Sequence, residues 1–176
     1  MIQTKNDLPA NTRRKMAELL NARTADMLDL YTHAKHAHWN VRGARFLSLH
    51  ELFDKVAEMA ETQVDEIAER AGQLGGEVSG TLRMSAKATS LREYPHKIAS
   101  GDEHVAAVAD SLAAIGKNLR DAIGEAEEAD DQDTMDMFID VSREVDKMLW
   151  FVESHQAPQE ATGKASKGDA AASSAA

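Results

Sequence analysis

The chain of 176 residues contains no cysteine at all. That excludes a disulfide scaffold, a cysteine-based zinc site, an iron–sulfur cluster and a thiol nucleophile. Proline and aromatic residues are also scarce, with three Pro, four Phe, two Trp and two Tyr. Ala, Leu, Glu and Met abound instead, a balance that leans helical. No run of about 18 apolar residues occurs, so no membrane-spanning segment is expected. Positive charge is the scarcer sign, with 20 Lys+Arg against 30 Asp+Glu and a formal charge of −10. Phosphate binding needs a basic face, so the chain reads as a poor general nucleic-acid binder. The opening MIQTKNDLPANTRRK lacks the apolar stretch of a secretory signal, which makes a cytoplasmic location the expectation. The length suits one domain with a real core, with or without tails.

What is present is helical periodicity in four long blocks. The first runs from about Asn11 to Trp39, with Met16, Leu20, Met27, Tyr31, Ala34 and His38 at steps of three, four or seven. Asn11 or Thr12 is the expected cap after Pro9. Asn40-Val41-Arg42-Gly43 is too short a turn for anything but an antiparallel neighbour. The second block spans about Arg45 to Leu74, with an apolar stripe from Phe46 through Phe53 and Ala60 to Ile67, and Gly75-Gly76 stops it. From Glu77 to Ala99 the period breaks, although Leu82 to Ala88 suits a short helix. Ser100-Gly101-Asp102-Glu103 fits a capping box opening the third block, and the fourth begins near Asp133.

The predicted fold is therefore all-α: a four-helix bundle with a long central crossover containing a short helix. A non-bundle helical array is the alternative. Residues 1–10 are expected to be a flexible arm, 11–156 the bundle, and 157–176, which contain no large apolar residue, a disordered tail.

Of seven histidines, His96, His104 and His155 look isolated and are expected at the surface or its boundary, and His33 and His36 on a solvated flank. His38 and His50 differ in their company. At about 100° per residue, His50 and Asp54 share one helix face, and Asp65 and Glu69 form a second pair on the same flank. Taking His50 as zero, the three acids fall at about 40°, 60° and 100°, whereas the apolar stripe lies at about −40° to −120°. Imidazole with carboxylate is the ligand mix of iron, manganese or zinc. Asp54 and Asp65 are separated by about 16 Å along a straight helix, whereas ligand bonds are about 2 Å long. Either the two pairs are unrelated, or a second copy brings its Asp65/Glu69 end to the first copy's His50/Asp54 end about a twofold axis. Glu93-Tyr94-Pro95-His96 is the single Glu-x-x-His match, and its proline and loop context mark it as a chance match rather than a single-chain di-iron motif.

Lys35-His36-Ala37-His38-Trp39-Asn40-Val41-Arg42-Gly43, then Phe46, Leu49-His50, Phe53-Asp54 and Asp65-Glu66-Ile67-Ala68-Glu69-Arg70 through Leu74-Gly75-Gly76, closely resemble the signature of the Dps family. Tyr94-Pro95 and Asp146-Lys147-Met148-Leu149-Trp150-Phe151-Val152-Glu153 extend the resemblance over roughly residues 5 to 155. These DNA-protection-during-starvation proteins, or mini-ferritins, share the ferritin-like bundle. The resemblance implies a hollow twelve-subunit cage with 23 symmetry and a ferroxidase site shared between two subunits. His38, His50 and Asp54 would then come from one chain, and Asp65 and Glu69 from its partner. It further implies oxidation of Fe(II), with hydrogen peroxide preferred over O2, and storage of ferric mineral.

By the same resemblance, Asp131, Asp136 and Asp140 would line an acidic iron-entry pore, with Asp133 as a helix cap. Trp39 would either pack at the interface or serve as a radical sink. DNA binding through terminal lysines, among them Lys5, Lys164 and Lys167, is the alternative activity, with protection by physical coating. The charge has a focus that suits the pore: residues 121–146 hold eleven acids and one base, Arg143, so the rest of the chain is neutral.

Overall fold

The computed structural model describes residues 1–156. Four long helices, α1 (Ala10–Asn40), α2 (Phe46–Gln73), α4 (Gly101–Glu128) and α5 (Gln132–Glu153), pack as a bundle, and α3 (Leu82–Ala88) lies in the crossover between α2 and α4. The chain is thus the expected all-α bundle. The short 41–45 turn makes α1 and α2 antiparallel neighbours, the loop 129–131 does the same for α4 and α5, and α1·α4 and α2·α5 contacts close the bundle. The seam is filled by Met16, Leu20, Leu30, Phe53, Leu112 and Phe138, none with measurable exposure.

The helix ends show which signals the chain obeys. At α4, Ser100 Oγ accepts from the Glu103 N–H (3.3 Å) and Glu103 Oε2 accepts from the Ser100 N–H (3.2 Å), the reciprocal capping box. At α1, neither Asn11 nor Thr12 caps: the helix starts at Ala10, directly after Pro9, and no side chain satisfies its first turn. Pro9 itself holds the cap position, at φ −53° and ψ 141°, and its carbonyl accepts from the Arg13 N–H at 3.0 Å. At α5 the cap is Asp131, not Asp133, with Asp131 Oδ1 accepting from the Thr134 N–H at 3.1 Å.

The N-terminal arm, expected to be flexible, is docked. The Ile2 N–H donates to the Gly75 carbonyl (2.7 Å), and Arg13 bridges the carbonyls of Leu8 (3.1 Å) and Leu74 (3.2 Å). Gly75 stands at φ 81°, and a Cβ there would lie 2.6 Å from the Ile2 carbonyl oxygen, so only glycine permits both the helix stop and the contact.

The crossover is anchored by one buried carboxylate. Asp26, 1 % exposed, accepts from the Ser90 N–H (2.7 Å) and Ser90 Oγ (2.9 Å), pairs with Arg23 (3.1 Å) and meets Asn118 Nδ2 (3.3 Å). A charge removed from water this thoroughly is tolerable only when its lone pairs are filled, and here four groups fill them.

Candidate metal centre

His38 lies in the last turn of α1 and His50 in the second turn of α2, and the 41–45 turn brings the two rings face to face, with centroids 3.6 Å apart and planes 20° from parallel. Each ring is tied to the other's backbone: His38 Nδ1 donates to the His50 carbonyl (2.7 Å) and His50 Nδ1 donates to the His38 carbonyl (2.8 Å). A carbonyl carries no proton, so both Nδ1 atoms must hold one. Each neutral ring therefore keeps its lone pair on Nε2, the form that binds a metal. The His38 carbonyl is free for this because the last carbonyls of a helix have no intrahelical partner.

Asp54, one turn beyond His50, reaches the same place. Its Oδ1 accepts from Lys35 Nζ at 2.6 Å and lies 3.8 Å from His38 Nδ1. The Lys35 hydrogen bond, aided by the nearby imidazoles, holds the Asp54 carboxyl below the usual carboxylate range. Lys35 Nζ also sits 5.8 Å from the centroid of the Trp39 ring. Trp39 is 67 % exposed, Phe46 stands 5.0 Å from His50, and Leu47 is exposed beside it. Large apolar side chains thus rim the His38/His50/Asp54 group.

Asp65 and Glu69 occupy the far half of α2, both exposed. The helix is unbroken between them and Asp54, and eleven residues of helix is about 16 Å. Among the described residues no group of three His, Asp or Glu side chains is placed to hold an ion. The candidate ligands on α2 thus fall into two separate pairs, His50/Asp54 and Asp65/Glu69, along one helix.

The acids at the start of α5 divide. Asp136 and Asp140 are exposed, one turn apart, with Arg143 paired to Asp140. Asp131 is 2 % exposed, bonded to Thr134 Oγ1 (2.6 Å) and to Arg70 (2.7 Å). A carboxylate closed off by its own chain cannot line an open pore, so Asp131 leaves the pore set and is the anchor between α2 and α5.

Two histidines expected in solvent are buried. His33 places Nδ1 3.0 Å from Ser111 Oγ and Nε2 3.4 Å from Asp29. His104 is 0 % exposed, and the Tyr94 hydroxyl lies 2.8 Å from its Nδ1. Burial lowers both imidazoles below their ordinary value, with His36 adding to the effect and Asp29 opposing it at His33, and it raises the Tyr94 phenol. A cavity of about 500 Å³ opens beside Tyr94, His33 and Ser111. The signal was in the spacing: His104 precedes Val108 by four and Ser111 by seven, and His33 sits between Leu30 and Ala37, all buried. His96 pairs with Glu93 (2.9 Å) on the surface, away from the other candidate ligands.

The ferritin-like domain family matches residues 17–158. The DNA protection during starvation protein of Agrobacterium fabrum is 39% identical over 153 residues, which cover 87% of this chain and 94% of that protein. The chain belongs to the Dps family. Among solved structures, Mycobacterium smegmatis Dps superposes with a TM-score of 0.84 at 28% identity, covering 97% of this chain and 99% of that one. The Dps of Microbacterium arborescens in its high iron form gives a TM-score of 0.78 at 30% identity, covering 88% and 98%. The Vibrio cholerae O1 Dps, described as one of a broad superfamily of ferritin-like diiron-carboxylate proteins, gives 0.81 at 25% identity, covering 88% and 96%. Within this Dps-family chain, Lys35 is the residue whose role the sequence did not disclose. It stands three positions before His38 in the quoted motif, yet only the folded turn reveals that it reaches Asp54.

Proposed function

We propose that this protein is a ferroxidase and iron store, with Fe(II) as substrate and ferric mineral as cargo. The observation that carries this is the reciprocal His38/His50 bonding, which leaves the Nε2 lone pair of each stacked ring free for a metal, with the Asp54 carboxylate 3.8 Å from His38 Nδ1. Asp65 and Glu69 of a second copy would complete the site about a twofold axis, supplying the hard oxygen donors that favour the Fe(III) product. Trp39, Phe46 and Leu47 support such a contact, since an exposed apolar rim of this kind marks an interface. A closed cage of twelve copies with 23 symmetry is the assembly we infer. Hydrogen peroxide is the proposed oxidant, with O2 as the slower substitute. Because each peroxide takes two electrons, a pair of Fe(II) ions reduces it to water without releasing a hydroxyl radical, and DNA and cell are thereby protected.

Asp136 and Asp140 are the proposed iron entrance. Their exposure and the net charge of −10 within 121–146 support it, because a focused field raises the local cation concentration. Trp39 keeps two proposed roles, interface packing and radical interception.

The test is an anaerobic addition of Fe(II) and peroxide to the apo-protein. Wild type oxidises iron rapidly with little hydroxyl radical, and His50→Ala/Asp54→Ala does not. Equal behaviour of the two proteins would remove the ferroxidase reading. A stable monomer in solution would remove the shared site.

DNA binding with protection by coating is the second reading, and the names of the curated relatives favour it. The docked arm presents Lys5, and Lys164 and Lys167 lie outside the described residues. Gel-shift at several salt concentrations, with and without residues 157–176, decides it: a coating protein shifts DNA less as salt rises, and no shift ends this reading.

A further inference from the structure

We propose that Tyr94, hydrogen-bonded to His104, is a one-electron donor to the iron–peroxide reaction when only one Fe(II) is bound. This inference rests on the ferroxidase reading above. The Tyr94 hydroxyl lies 2.8 Å from His104 Nδ1, and the two rings lie stacked with centroids 6.0 Å apart at 22°. Tyr94 is 9% exposed and His104 wholly buried, so bulk water competes little for that proton. His104 Nε2 has no partner of ordinary geometry among the described residues. The pair serves no catalytic purpose assigned so far, and a buried polar pair with a nitrogen left over calls for an explanation.

The chemistry suits electron donation coupled to proton transfer. Oxidising a phenol is hard if the proton stays on oxygen and easy if a base receives it at once. His104, kept neutral by burial, offers its Nδ1 lone pair to the Tyr94 O–H. The Tyr94–His104 pair also packs against both helices that carry the candidate ligands. The Tyr94 edge meets His36 at 5.1 Å, two residues before His38 in α1. His104 meets Phe53 at 6.4 Å, the residue before Asp54. Trp39 lies nearer in sequence to His38 but is worse placed as a donor. The Lys35 cation stands over its ring, which opposes formation of a positive radical.

The step balances as follows. Peroxide accepts two electrons and two protons as its O–O bond breaks to give two waters. One electron comes from Fe(II), which becomes Fe(III), and one from Tyr94, which becomes a neutral phenoxyl radical. The phenol proton moves to His104, which becomes imidazolium, and solvent supplies the two protons taken by peroxide. The second oxidising equivalent is thus held on a buried ring instead of leaving as hydroxyl radical.

The chain has two tyrosines, Tyr31 and Tyr94, so assignment is direct. Freeze-quench electron paramagnetic resonance on the assembled protein, with less than one Fe(II) per shared site and excess peroxide, reads the radical while ferric absorbance reads iron oxidation. Wild type and Tyr31→Phe are expected to give a phenoxyl signal. Tyr94→Phe, which keeps the ring, is expected to lose it and to release hydroxyl radical to a spin trap, with iron oxidation preserved. His104→Gln is expected to reduce the phenoxyl yield although Tyr94 remains. Iron oxidation with the same phenoxyl yield in Tyr94→Phe, or with an indolyl signal alone in wild type, overturns this inference and leaves the ferroxidase reading intact. No iron oxidation in wild type overturns both.

Discussion

Lys35 holds one oxygen of the carboxylate that iron would use in the proposed site, so replacing it should tighten metal binding. The perturbation is Lys35→Gln, which keeps the chain length and removes the charge. In the resting protein the Lys35 Nζ–Asp54 Oδ1 contact is 2.6 Å, and the two side chains are 21 % and 39 % exposed. A well-shielded hydrogen bond to a charged group is worth about 1.5–3 kcal/mol, and an exposed ion pair about 0.2–1 kcal/mol. Solvent reaches Asp54 freely, which places this contact at about 1 kcal/mol, near the top of the exposed range. A cation that takes Asp54 Oδ1 must break it, and at tenfold per 1.4 kcal/mol its absence improves the dissociation constant about fivefold. Loss of Lys35 also lets the Asp54 carboxyl rise toward its ordinary value of 3.8, but the group stays ionised at neutral pH and the gain is not offset. Co(II) titrated by visible absorbance measures this without oxidation chemistry. Lys147→Gln, whose partner Glu144 lies on α5, is the control and should not change the constant. Unchanged or weaker Co(II) binding by Lys35→Gln would refute the competition argument.

Three further outcomes are expected. Asp26→Ala strands the Arg23 guanidinium and releases Ser90, so it should cost about 3 kcal/mol or more; a loss under about 1 kcal/mol in chemical unfolding would reduce Asp26 to an ordinary surface pair. His33 and His104 both have imidazole values lowered from 6.5, so as pH falls through 6.5 the unfolded chain takes up protons that the folded chain refuses. Stability should therefore be fully present above 6.5 and fall below it, before the carboxylates begin to titrate, and a flat melting temperature across that interval would contradict it. Gly75→Ala forces an L-residue to φ 81° with its Cβ 2.6 Å from the Ile2 carbonyl, at a cost of about 1–2 kcal/mol. The arm should come off, and faster tryptic cleavage at Lys5 than in wild type is the measure; equal cleavage rates would show that the contact does not hold the arm.

The bundle was legible because its signals are local and periodic. The 3.6-residue stripes, the Gly75-Gly76 stop and the Ser100/Glu103 box each need only a few neighbouring residues, and α3 appears at the expected Leu82–Ala88. The ligand flank was legible for the same reason, since angle and rise along one helix separate His50/Asp54 from Asp65/Glu69. What escaped depends on contacts between distant segments. Asp131 resembled its acidic neighbours until Arg70, sixty-one positions away, closed over it. The arm read as loose because the Ile2–Gly75 hydrogen bond has no sequence signature. His33 and His104 are polar side chains on an apolar stripe, and position on the stripe decides their burial. A histidine whose two nitrogens can be met inside, as His33 meets Ser111 and Asp29, is buried at little cost.

The separation of ligands along α2 also bears on why activity and assembly would be inseparable in the proposed enzyme. A straight helix of 28 residues cannot bend Asp65 and Glu69 back to His50. Each chain alone therefore offers two imidazoles and one carboxylate, with that carboxylate already taken by Lys35. Such a set would bind Fe(II) weakly and would have little to stabilise Fe(III). The surface next to it is apolar, with Trp39, Phe46 and Leu47 exposed. On the twofold arrangement proposed here, one contact covers that apolar rim and delivers the two missing carboxylates. The added negative charge would also oppose the Lys35–Asp54 pairing's hold on the site, by giving a dication three carboxylates to meet where the ammonium meets one. Iron oxidation would then be confined to the assembled state, where the ferric product forms against a cage interior instead of in free solution.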